Sequence, residues 1–241
     1  MQRHLSSPLP SFGDVFFVSG TGTDVGKTVA TGLMARWLLA AGRDAVTVKL
    51  VQTGNAGRSE DIEAHRRLMG GVRFPEDAAG FTAPQIFKFP SSPLLAARLE
   101  GKAVDVAKIA ESVEACAAAH EVVLVEGAGG LAVPLTEAQL TADFVAGQGW
   151  PLVLVTCGNL GAINHALLSL EAAKSRGIPV LGVVHNSSFS VDARLDDDAV
   201  AAISRHLVRL GYRDRIVRLP RVDISNPPEI DFGEIFGGAD K

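Results

Sequence analysis

The stretch Ser19-Gly20-Thr21-Gly22-Thr23-Asp24-Val25-Gly26-Lys27-Thr28 limits what this chain can fold into more than any other part of it. Before it, Val15-Phe16-Phe17-Val18 is a short apolar run of β-branched and aromatic residues, the composition of a buried parallel strand. After it, Val29, Leu33, Trp37 and Leu38 recur at helical spacing within residues 28–41. Strand, glycine loop and helix in that order make a phosphate-binding loop. The glycines let backbone N–H groups turn onto phosphate oxygens, and the helix start adds its partial positive charge. The pattern predicts that Lys27 reaches the β- and γ-phosphates and that the Thr28 hydroxyl binds magnesium, so the nucleotide is expected to be a triphosphate. Counting back from Gly26 puts Thr21 where the common G-x-x-x-x-G-K-S/T pattern has its first glycine, and Gly20 stands one place earlier. That longer spacing points to a subgroup of ATP-using enzymes rather than to the common GTPases. A glycine turn that only joins strand to helix is the plain alternative, but it leaves Lys27 and Thr28 without a purpose.

Further strands are expected over 45–49, 121–125, 152–155, 180–186 and 216–220, and helices over 94–99, 104–119, 162–175 and 197–210. The connections are long enough for helices throughout, so the fold class is α/β, P-loop NTPase-like, with a mostly parallel sheet flanked by helices on both faces. A length of 241 residues and 47% hydrophobic content suit one domain over 14–241, preceded by a loose serine- and proline-rich leader over 1–13.

In open parallel sheets, ligand groups gather at the carboxyl ends of strands. Lys49 at such an end is either a second cation over the site or a surface lysine capping a strand. Glu126, followed by Gly127-Ala128-Gly129-Gly130, is either a metal-directed acid or part of a tight turn. Within Glu60-Asp61-Ile62-Glu63 the acids either complement a helix dipole or supply a carboxylate to the metal, with Asp61 the candidate. The helix start after Leu160-Gly161 offers free N–H groups to a second anion such as a carboxylate, and His165 in its first turn reads as a polar packing group. A net charge of −4 with mixed signs gives no nucleic-acid surface and no basic membrane patch. Cys116 and Cys157 are too few for a disulfide framework and lack metal spacing. With neither a charged-then-apolar leader nor an apolar run long enough to span a bilayer in the sequence, a cytoplasmic protein with buried free thiols is the expectation.

Four motifs, namely residues 20–28, the strand end 49–54, the run 126–130 and Leu160-Gly161-Ala162-Ile163-Asn164-His165, together resemble the dethiobiotin synthetase family, in the family's order and within about residues 15–222. The resemblance implies ATP- and magnesium-dependent closure of 7,8-diaminopelargonic acid with carbon dioxide to dethiobiotin, giving ADP and phosphate. It implies that Lys27 and Thr23 act in catalysis and that Lys49 lies near a carbamate. Thr28, Asp61 and Glu126 would bind the metal, and Thr53 would touch substrate where the family commonly has serine. Asp24, Val25, Gly26, Val29, Gly127, Ala128 and Gly129 would surround the nucleotide. Asn186 and Ser187 would meet the adenine edge, with Pro220, Arg221 and Val222 lining the base. Leu160, Gly161 and Asn164 would bind the substrate carboxylate from a neighbouring subunit, which implies a homodimer. Leu50 stands in place of a proline usual in the family, and Asn159 in place of a lysine found in some relatives. The competing reading is a ParA- or MinD-like ATPase switch. Such proteins carry an extra lysine near the loop start, where this chain has Ser19-Gly20-Thr21-Gly22.

Overall fold

Side chains alternate between the two faces of a strand, so an apolar run without alternation needs cover on both sides. The computed structural model, which describes residues 14–237, supplies that cover. The expected leader and the last four residues lie outside the described residues. In chain order the elements are β1 (Asp14–Gly20), α1 (Lys27–Ala40), β2 (Ala45–Lys49), β3 (Gln52–Thr53), α2 (Glu60–Leu68), α3 (Pro75–Ala79), β4 (Ile86–Phe87), α4 (Pro93–Leu99), α5 (Val106–Ala119) and β5 (Val122–Gly130). They continue with α6 (Thr141–Gln148), β6 (Leu152–Cys157), α7 (Ala162–Ser175), β7 (Val180–Asn186), α8 (Ala193–Arg209), β8 (Ile216–Leu219) and α9 (Gly233–Phe236).

Six strands pair in the order β2-β5-β1-β6-β7-β8, all parallel. On one face Phe17, Val46, Val48, Val123 and Val125 pack with Ile109 and Val113 of α5 and with Ala166 and Leu170 of α7. Their neighbours in sequence, Phe16, Val18, Ala45, Val122 and Leu124, meet Leu33, Met34 and Leu38 of α1 on the other. Each such buried side chain contributes roughly 1.5–3 kcal/mol of transfer free energy. Gly32 of α1 sets how closely α2 docks: a Cβ there would come within 2.6 Å of Leu68 and 3.3 Å of the His65 Cα. That close approach lays α2 along the ends of β2 and β5.

Several boundaries differ from the sequence reading. Strand β5 does not stop at 125 but runs through the glycines to Gly130, with an irregularity where β1 advances from Val18 to Gly20 while β5 advances from Glu126 to Gly130. A bulge of this kind adds backbone to one strand only, which glycines tolerate. Helix α8 starts four residues before the expected 197, because Asp192 caps it by accepting from the Arg194 N–H. The segment 55–90, which has no clear periodicity, holds α2, α3 and β4, and β4 pairs in parallel with β3 just before the segment.

Arg66 of α2 is 1% exposed and is held by Asp77 of α3, with Nη2 to Oδ1 at 2.6 Å and Nε to Oδ2 at 2.9 Å. Burial opposes the Asp77 charge, but Arg66, the Phe74 N–H and the Thr82 hydroxyl overcome it and hold this carboxyl below its ordinary range. Asp77→Asn should therefore cost about 2–3 kcal/mol at pH 7, somewhat under the figure for a fully buried pair because Asp77 is partly exposed. A depressed carboxyl stabilises the fold fully above its unfolded pKa and loses that contribution as pH falls through the lower folded value. The difference between wild type and variant in denaturant unfolding should thus shrink below about pH 4.

Candidate active site

The loop between β1 and α1 is built for close backbone approach. A Cβ at Gly20 would lie 2.6 Å from Val25 Cγ2 and 2.8 Å from the Gly22 oxygen, which explains why glycine falls at 20 and not at 21. Gly26 has φ +100° and caps α1 without a side-chain hydrogen bond, so the N–H groups of the first helical turn stay available to an anion. A side chain at Gly26 would also strike the Asn186 amide. Asp24 takes φ +58°, a left-handed conformation that a carboxylate side chain tolerates better than most. Lys27 is buried, and its Nζ donates to the Gly22 oxygen at 2.8 Å. Burial lowers the Lys27 pKa, with Lys49 adding to the effect and Glu126 opposing it.

Behind the loop, the register of the sheet sets Lys49 of β2 beside Glu126 of β5 as paired residues. Lys49 Nζ lies 2.7 Å from Glu126 Oε1, 2.6 Å from Asp61 Oδ2 and 3.2 Å from the Gly127 oxygen. Thr28 Oγ1 lies 3.0 Å from Glu126 Oε1 and 3.1 Å from Asp61 Oδ1. Glu126 is 1% exposed. Burial alone would push its carboxyl up, but Lys49 and His65 overcome this and hold it well below the usual carboxylate range. Burial likewise opposes the Lys49 charge, and Glu126 and Asp61 reverse the balance so that its pKa is raised. Lys49 is therefore a fixed cation, suited to stabilising developing negative charge and unsuited to accepting a proton. Among the described residues no three His, Cys, Asp or Glu side chains gather as a metal cluster. The donor set is instead one hydroxyl and two carboxylates, hard oxygens of the kind magnesium takes when phosphates complete its shell.

A cleft of about 750 Å³ opens over these groups. Of the residues singled out in sequence, Thr23, Asp24, Gly26, Lys27, Thr28, Val29, Lys49, Thr53, Asp61, Glu126, Ala128 and Gly129 line it. Val25 and Gly127 are buried beside it. Asn186 ends β7, next to Leu219, and Ser187 opens the short 3-10 turn that follows, while Pro220, Arg221 and Val222 follow on the adjoining strand end. Asn186 Nδ2 donates to the Val25 oxygen at 3.0 Å, and its Oδ1 accepts from the Ser188 N–H and hydroxyl. It thereby ties the end of β7 to the phosphate loop. Leu160, Gly161 and Asn164 are not among the residues lining the cleft; they are exposed at the start of α7, Leu160 by 96%. His165 is exposed as well.

Sequence reasoning missed His65. It is fully buried, with Nε2 2.7 Å from Glu126 Oε2 and Nδ1 3.0 Å from Thr47 Oγ1. The available signal was its position four residues after Asp61, one turn on along the same helix face. Ser59 was also missed: it caps α2 through the Ile62 N–H and donates to Gln52 Oε1 at 2.6 Å.

A family model described as an AAA domain matches residues 14–228. The ATP-dependent dethiobiotin synthetase BioD of Chlorobaculum tepidum is 46% identical over 200 residues, covering 83% of this chain and 84% of that protein. The ATP-dependent dethiobiotin synthetase BioD 2 of Haemophilus influenzae is 45% identical over 174 residues, covering 72% of this chain and 91% of its own. A solved ParA family ATPase from Chlorobium tepidum TLS superposes with a TM-score of 0.52 at 13% identity over 87% of this chain and 85% of its own, a likeness of fold alone. The competing switch reading thus has only a distant structural relation behind it. A phosphate loop with Lys49, Asp61 and Glu126 at its back, in a chain this similar to those synthetases over most of its length, leads to one assignment: the chain belongs to the ATP-dependent dethiobiotin synthetase family.

Proposed function

We propose that the cleft closes 7,8-diaminopelargonic acid with carbon dioxide to dethiobiotin at the expense of ATP. The observation that carries this reading is the convergence of Thr28, Lys49, Asp61 and Glu126 within 3.1 Å contacts at the end of the phosphate loop. One amine of the substrate takes up carbon dioxide as a carbamate, a carbamate oxygen attacks the γ-phosphorus and expels ADP, and the second amine attacks the carbonyl carbon of the resulting mixed anhydride, closing the ring as phosphate leaves. Each step builds charge on carbamate or phosphoryl oxygens, so fixed cations are the catalysts the chemistry needs. Lys49, held protonated between two acids, orients and stabilises the carbamate. Lys27 leaves the Gly22 oxygen for the transferring phosphoryl group, and the helix start behind Gly26 binds the phosphates. Thr53 and Thr23, which both line the cleft, contact the substrate. Thr28, Asp61 and Glu126 hold magnesium, which when bound neutralises charge on the phosphates.

Asn186 and Ser187, with the segment 220–222, flank the adenine. The exposed start of α7 meets the substrate carboxylate in the cleft of a second copy, so the enzyme works as a homodimer; a Leu160 that is 96% exposed supports this. Among the described residues no helix is long and apolar enough to cross a membrane, and both cysteines are buried free thiols, which supports a cytoplasmic location. The decisive assay supplies diaminopelargonate, bicarbonate and Mg-ATP and follows dethiobiotin and ADP together. ATP turnover that ignores the diamine and responds only to DNA or lipid would refute the reading, and sedimentation as a monomer would refute the shared site.

A further inference from the structure

We propose that His65 is a positioning residue for this site: its ring, backed by Thr47 and Arg66, sets the plane of the Glu126 carboxylate so that Oε1 faces Thr28 and Lys49. The proposal rests on the reading that Glu126 and Thr28 hold magnesium beside the phosphates. The last torsion of a glutamate is broad and poorly set by rotamer preference, so a buried carboxylate keeps one orientation only if its oxygens are separately engaged. Here the two oxygens have different partners. Oε1 meets Thr28 Oγ1 at 3.0 Å and Lys49 Nζ at 2.7 Å, and among the described residues Oε2 meets only the His65 Nε2, at 2.7 Å.

The ring is itself held. A carboxylate offers no proton, so Nε2 must carry the hydrogen, and in the neutral ring Nδ1 then accepts. Its partner is Thr47 Oγ1 at 3.0 Å, on the same strand face as Lys49 two residues on. Arg66 Nη1 donates to that same Thr47 oxygen at 2.8 Å, which leaves the hydroxyl proton free for His65 Nδ1. Asp77 anchors Arg66 in turn. A chain of buried bonds thus runs from Asp77 through Arg66, Thr47 and His65 to the far oxygen of Glu126. Thr47, His65 and Arg66 lie outside the set of residues lining the cleft, so none of them has a direct route to substrate.

The plain alternative is that His65 only fastens α2 to the sheet. Three variants separate the two, because glutamine carries an amide nitrogen about as far out as Nε2, asparagine only as far as Nδ1, and leucine none. Manganese binding to the ATP complex is read by electron paramagnetic resonance without diamine, alongside kcat, the KM for diamine and the thermal midpoint. His65→Leu and His65→Asn should weaken manganese binding by about 10- to 100-fold and lower kcat in step, with the KM for diamine unchanged, whereas His65→Gln should restore most of both. If the leucine variant does not fold, the glutamine and asparagine pair carries the test. Equal losses in that pair that track the thermal midpoint, or wild-type manganese affinity in the leucine variant, would overturn the role given to His65. A wild-type chain that binds no manganese with ATP would overturn the metal reading and this inference together.

Discussion

Lys49→Ala should lower the rate of dethiobiotin formation by roughly 10²- to 10³-fold while leaving ATP binding close to that of the wild type. The split follows from where Lys49 sits. Its ammonium comes from β2 and is held by Glu126 and Asp61, whereas the N–H groups proposed to hold the phosphates come from the loop and the first turn of α1. In the proposed reaction it acts on charge that develops as the carbamate forms and attacks. Removing it also leaves Glu126, which is 1% exposed, without its ion-pair partner, and the loss of one member of a buried pair costs about 3–5 kcal/mol. Unfolding should therefore be measured beside product formation and ATP binding by calorimetry. A folded Lys49→Ala variant with near-normal product formation would remove Lys49 from the chemistry.

Lys27→Ala should fail differently, losing nucleotide affinity as well as rate. Lys27 Nζ rests on the Gly22 oxygen inside the loop, 2.8 Å away, and in the proposed reaction its charge serves the phosphates in both the bound and the reacting state. Loss of a desolvated charged hydrogen bond costs about 2–4 kcal/mol, or roughly 30- to 1,000-fold in ATP affinity, with a comparable further fall in kcat. Comparing the two variants by calorimetry and product assay separates the phosphate half of the cleft from the carbamate half. If Lys27→Ala kept wild-type ATP affinity, the loop would not be the phosphate site.

Much of the fold was legible because its signals are local. The strand, glycine loop and helix of residues 15–41 are read from a few adjacent residues, and the buried strands at 45–49, 152–157 and 180–186 announce themselves as β-branched runs. The helices α3 and α6 were not legible. They are short, begin at Pro75 and Thr141 in stretches with little apolar repeat, and depend on tertiary contacts for their stability. The glycines after Glu126 read equally well as a turn, since nothing in Gly127-Ala128-Gly129-Gly130 reveals that a partner strand continues alongside.

The sequence by itself determined that a glycine loop carrying Lys27 and Thr28 joins a buried strand to a helix on a parallel sheet, and that Lys49 ends a strand. Those facts depend on spacing within one segment. Only the tertiary structure decided that Lys49 pairs with Glu126 across neighbouring strands, 77 positions apart, and that Asp61 and His65 reach the same acid. It also decided that Leu160 stands outside its own cleft. The physical reason is that sheet order and helix docking are set by how whole faces bury one another. The close seat of α2 over Gly32, and not any pattern within α2, carries Asp61 and His65 to the buried Lys49 and Glu126.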